Sequence, residues 1–223
     1  MSQFDGKIIK EIKLTEVGYP KLLSHISSPP KFLYVIGNEK ILNQKAITVI
    51  GSRKMSEYGR RVTEQLVRGL VDNNLVIVSG LAGGIDGVAH RVCINNKGKT
   101  IAVLGHGFDR IYPPEHRGLA KQIVVSGGCL VSEFPINYPI KRQNFILRNR
   151  IMAGMSLGTL VIESKSKSGT KVTATMAANY GREVFCVPGP IESELSLGPA
   201  ELIQEGAKLV TSVEDILEEL PLV

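Results

Sequence analysis

The sequence predicts an α/β fold: a doubly wound, mostly parallel sheet. Two observations carry this. Short, nearly continuous apolar runs recur along the chain, the pattern of parallel strands covered on both faces by helices. Segments with apolar residues at 3.6-residue spacing lie between those runs and read as the covering helices. Sheets of this kind bind ligands at the carboxyl ends of their strands, where strand order reverses. The loops after the strands are therefore the places to look for chemistry.

Residues 1–40 read as an N-terminal approach segment, punctuated by Tyr19-Pro20 and Pro29-Pro30, with one short strand over Phe32–Gly37. A single domain is expected over 41–223. Its first strand is Ala46–Ile50, stopped by Gly51. A helix follows, with Ser56 as N-cap, running towards Asn73 with Val62, Leu66 and Leu70 on its stripe. Leu75–Ser79 is the next strand, and the helix after it carries Ile85, Val88, Ala89 and Val92. Thr100–Leu104 is the third. Pro113-Pro114 then opens a helix, a position that suits proline. Further strands are expected at Cys129–Ser132, Thr159–Glu163 and Glu183–Val187, with helices over Ile151–Leu157 and Thr173–Tyr180. A short helix around Leu202, an extended Lys208–Val210 and a last helix after Ser212 complete the chain.

Composition narrows the function. The net charge of +6 conceals an asymmetry: Ile191–Val223 holds eight acidic residues and one basic, leaving +13 over the first 190. That body favours a polyanionic partner. No apolar run is long enough to span a bilayer and the N-terminus has no apolar signal core, so a cytoplasmic location is expected. Cys93, Cys129 and Cys186 are far apart in apolar contexts and read as reduced core residues, without metal spacing.

The densest chemistry lies in one run. Lys141, Arg142, Arg148 and Arg150 bring four cationic groups within ten residues of one another, around Phe145 and Asn149. Guanidinium forks fit phosphate, and a phenylalanine face accepts a base by stacking. The same run also fits a solvated basic turn before an amphipathic helix. In Gly51-Ser52-Arg53-Lys54, a tight turn presents a hydroxyl and a guanidinium, which suits phosphate. Gly80, Gly83 and Gly84 precede a helix N-terminus, an anion site by its free N–H groups, and Asp86 there can cap the helix or meet a sugar hydroxyl. The loop from Glu163 through Ser168, Gly169 and Lys171 is small, polar and basic, able to wrap an anion. Neither the Gly51 turn nor the loop Gly105-His106-Gly107-Phe108-Asp109-Arg110, whose final position is Arg110, has the G-x-G-x-x-G dinucleotide spacing. His106 stands alone and receives no catalytic role. No Ser/His/Asp set, carboxylate pair or metal cluster stands out, so no catalytic residue, metal or cofactor is expected.

The ordered motifs resemble the DNA-processing protein A family, also called DprA or Smf. They include Tyr19-Pro20, Pro29-Pro30, Gly51-Ser52-Arg53, Ser79-Gly80-Leu81-Ala82, Gly84-Ile85-Asp86 and Tyr112-Pro113. Most specific are Phe145 with Arg148-Asn149-Arg150, then Ser168-Gly169, Gly181-Arg182-Glu183-Val184 and Val187-Pro188-Gly189. The resemblance implies an extended Rossmann-like domain that binds single-stranded DNA and helps load the RecA recombinase in natural transformation, as a homodimer. It puts Arg53 on phosphate, and Phe145 with Lys141 or Arg142 on base and backbone. It further leads to the expectation of no C-terminal winged-helix domain and no full N-terminal helical domain. Ser168-Gly169-Thr170-Lys171 departs from the family's S-G-S-type loop by an added charge.

Two other functions fit parts of the chain. A nucleoside-monophosphate-cleaving Rossmann-like enzyme would use the Gly80–Gly84 loop and Glu163, although its P-G-G-x-G-T-x-x-E pattern is absent. A nucleotide-binding sensor would bind in the same crevice without turnover.

Overall fold

The computed structural model describes residues 8–221. Residues 1–7 of the expected approach segment and 222–223 of the expected domain lie outside them. Among the described residues one sheet of nine strands forms, in the order β1-β2-β6-β5-β4-β3-β7-β8-β9. The parallel body comprises β3 (Ala46–Ile50), β4 (Val76–Ser79), β5 (Thr100–Leu104), β6 (Cys129–Ser132), β7 (Gly158–Val161), β8 (Glu183–Cys186) and β9 (Lys208–Leu209). From β3 the chain steps outward through β4, β5 and β6, then returns to the other side of β3 to lay down β7, β8 and β9. Thr48 pairs with Val78 on one side and Thr159 on the other, so the reversal lies between β3 and β7.

Residues 8–40 contribute two strands to this sheet. β1 (Ile9–Lys13) and β2 (Phe32–Gly37) extend it past β6, both antiparallel. Between them, α1 (Lys21–Ser24) puts Leu23 into the core, and the Tyr19 hydroxyl donates to the Pro30 carbonyl at 2.8 Å. β1 escapes a period-based reading because it is an edge strand whose one buried residue is Ile12.

Strand side chains alternate between two faces. Val76, Val78, Ile101, Val103 and Val161 enter the core on one face, under α5 (Arg142–Met155), α6 (Gly169–Asn179) and α7 (Leu197–Gln204). Ile47, Val49, Ile77, Leu160 and Phe185 face α2 (Glu57–Asp72), α3 (Ile85–Asn95) and α8 (Glu214–Leu217). Ala102, Leu104 and Leu130 continue that face under α4 (Arg117–Val125). Ser56 caps α2, its Oγ accepting from Gly59 N, and Asn73 closes it. The arginine-rich run is not a turn before a helix, the alternative reading of that stretch. It is the helix, because α5 starts at Arg142 and buries Asn144, Arg148 and Asn149 along one side.

Candidate functional site

A crevice of about 540 Å³ opens at the carboxyl ends of β3 and β7, where the strand order reverses. The turn after β3, the loop after β7 with the start of α6, and α5 form its walls. Three hydrogen bonds brace them. Thr170 Oγ1 donates to Gly51 O at 3.3 Å, Asn149 Nδ2 to Gly169 O at 3.4 Å, and Ile85 N to Ser52 O at 3.2 Å. The last depends on Gly84, whose φ is +71° and whose missing side chain leaves room for Ser52 O.

Gly51, Ser52 and Arg53 line the crevice. Ser52 Oγ accepts from Lys54 N at 3.1 Å, which shapes the turn. Arg53 and Lys54 are exposed and make no ion pair among the described residues. Opposite, Phe145 is half-buried and Ile146 exposed. Lys141 holds the N-cap position of α5 and Arg142 its first turn, both exposed. Lys141 Nζ lies 5.5 Å from the Tyr138 ring centroid. Ser168 caps α6 through its Oγ, which accepts from Lys171 N, and Gly169 is exposed beside it.

Other expected contacts are taken by the fold. Asp86 is buried, and its carboxylate accepts from Gly80 N at 3.1 Å and Ala82 N at 3.3 Å. The glycine loop after β4 thus carries its own anion, and Gly80 has no amide left for phosphate. Gly83 is half-buried against the Arg53 carbonyl. Its loop bends through Leu81, a buried residue at φ +57°. Arg148 is 4% exposed at the crevice floor; its Nη1 donates to Val103 O at 2.5 Å. Burial lowers its pKa to about 10 and raises that of Asp86, each eased by the other's charge.

Arg150 points away from the crevice. Its fork binds Glu133 at 2.8 and 2.6 Å, and its Nε donates to Ser28 O at 3.0 Å. Lys171 is paired with Glu201 at 2.6 Å and Glu205 at 2.9 Å. The acidic C-terminal region thus folds back on the chain's own cations, Glu194 on Lys165 among them. The two candidate loops also bring Lys54, Ser164, Lys165, Lys167 and Thr170 to the crevice lining. Alternating Ser and Lys over 164–168 is the sequence signal for that wall. Glu163 also sits deep: it accepts from Ser56 N at 2.9 Å and Ser56 Oγ at 2.5 Å, an acid at the N-terminus of α2. Among the described residues, no group of His, Cys, Asp and Glu is arranged to hold a metal, and no helix is long and apolar enough to cross a membrane.

Fold and site together define a doubly wound α/β protein with a basic crevice at its switch point. The model of the DNA recombination-mediator protein A family matches residues 10–221, and the chain belongs to that family. Protein Smf of Escherichia coli K12 is 46% identical over 202 residues, covering 91% of this chain and 54% of that protein. This chain therefore spans about half the length of that relative. The structure of DNA processing protein A from Streptococcus pneumoniae superposes with a TM-score of 0.91 at 40% identity, over 99% of this chain and 77% of that one. DNA processing protein A from Helicobacter pylori, described for a unique single-stranded DNA binding mode, gives 0.86 at 26% identity over 99% and 100%.

Proposed function

We propose that this chain binds single-stranded DNA along the crevice between the Gly51-Ser52-Arg53 turn and the first turns of α5. The observation that carries the reading is the crevice lining. Arg53, Lys54 and Lys167 are exposed cations there with no ion pair among the described residues, Lys165 is exposed but paired with Glu194, and the acidic member, Asp86, is buried and held by backbone amides. Phosphates meet charge at one wall and bases meet the Phe145 ring at the other. Duplex binds less well because its bases are not free to stack. The single-stranded DNA binding described for the Helicobacter pylori relative supports the same ligand.

Binding rather than catalysis is the activity. Glu163, the carboxylate a nucleotide-cleaving enzyme would need, is spent on Ser56 at the start of α2. Membership in a family of recombination mediators supports RecA recombinase as the recipient of the DNA, a homodimer as the working form and the cytoplasm as the place.

Fluorescence anisotropy of labelled oligo-dT over a salt series tests the reading. Tight, salt-sensitive binding is expected. Arg53→Ala should weaken it and flatten the log–log salt slope by about one. Absence of binding at low salt would sink the proposal. Release of ribose 5-phosphate from nucleoside monophosphates would favour the enzyme instead.

A further inference from the structure

Next to Phe145 the chain exposes a second ring that the crevice reading leaves unused. Tyr112 stands in the loop between β5 and α4, 42% exposed. Its ring centroid is 5.6 Å from that of Phe145, with the planes tilted by 48°. Phe145 is seated from behind. The buried His106 ring meets it edge-on at 6.2 Å, and a Cβ on Gly105 would lie 3.2 Å from its Cδ1.

The Tyr112 loop is also held firmly. Phe108 and Ile111 are buried in the core beneath it. Gly107 N donates to Tyr138 O at 3.0 Å and Phe108 N to Ile136 O at 2.8 Å, tying it to the loop after β6. A rigid, exposed aromatic loses little entropy when it captures a flat partner. Two exposed cations flank the rings along the chain: Arg110, two residues before Tyr112 and 4.0 Å from the Asp109 carboxylate, and Lys141, four residues before Phe145.

The ring spacing decides how the pair works. Clamping one base between two rings needs roughly 7 Å, twice the rise per base along a strand. At 5.6 Å the two rings touch each other instead. Each therefore offers its outward face to a different base.

Resting on the single-stranded DNA reading above, we propose that Tyr112 is a second stacking platform, which takes the nucleotide adjacent to the one on Phe145. The strand then leaves the crevice over the loop between β5 and α4, with Arg110 and Lys141 beside its backbone.

The chain has no tryptophan, so Tyr112→Trp places a single reporter at this position. Titrating that variant with oligo-dT should quench the indole emission in step with the rise in anisotropy. Tyr112→Phe should bind like wild type. Tyr112→Ala should weaken binding about fivefold or more, and by a similar factor in a Phe145→Ala background. Oligo-dT that binds without changing the indole emission overturns the proposal. So does a Tyr112→Ala loss that vanishes once Phe145 is gone, because Tyr112 would then only prop Phe145. Failure of wild type to bind oligo-dT is a separate result and brings down the underlying reading.

Discussion

The mouth of the crevice and its flanks use the same residue types for opposite ends. At the mouth, Arg53, Lys54 and Lys167 stand in water without carboxylate partners among the described residues. On the floor and flanks, Arg148 is buried against Val103 O, Arg150 is locked to Glu133, and Lys171 is shared by Glu201 and Glu205. Charge in a sequence is therefore a count of cations, whereas charge available to a ligand is what remains after the fold has taken its share. A cation already paired must exchange a carboxylate for a phosphate, and much of the gain cancels.

Replacing Phe145 by Ala sharpens the contrast most. It removes the ring at the mouth while leaving the cations in place. Affinity for oligo-dT should fall by about 1–3 kcal/mol, roughly 5- to 150-fold, with the salt slope unchanged. Unchanged affinity would mean that the mouth works by charge alone.

Next comes Gly80→Ala, which acts on the floor. A methyl group there runs into the Arg148 guanidinium, which is buried and held by its bond to Val103 O. Overpacking of this kind should cost about 1–3 kcal/mol, read as a lower urea midpoint. A variant as stable as wild type would show that the floor is loose, and that Arg148 is free to move towards a ligand.

The smallest effects belong to the flank. Lys171→Ala should change oligo-dT affinity by no more than about twofold, because that charge is already neutralised. Substituting Glu201→Gln together with Glu205→Gln should instead tighten binding and steepen the salt slope by about one, as Lys171 becomes available. A tenfold loss from Lys171→Ala would break the comparison, since it would put a paired lysine on the DNA.

Much of the architecture was legible in the residues because it rests on local pattern. Phe32–Gly37, Thr100–Leu104 and Cys129–Ser132 are strands over the expected spans, and Ser56 and Asn73 bound their helix as read. Periodicity and capping depend on neighbours within a few residues, and the chain order displays those. The Gly51-Ser52-Arg53 turn was legible for the same reason: a strand, a glycine and a helix start place it at the sheet's carboxyl edge. β1 was not, because an edge strand needs only Ile12 buried and leaves little periodic signal. The helical start of α5 was hidden by its own charge, since Arg148 and Asn149 are buried where polar residues normally mark a surface.

The sequence by itself determined the fold class, the order of the loops and the residue types that reach the crevice, since all three follow from short-range pattern. Only the tertiary structure decided which cations are spent. Glu133 lies 17 positions from Arg150, and Glu201 lies 30 from Lys171. Val103 O lies 45 positions from Arg148. Such partners meet only when the sheet brings distant strands together, so their claims on each charge are invisible until the chain has folded.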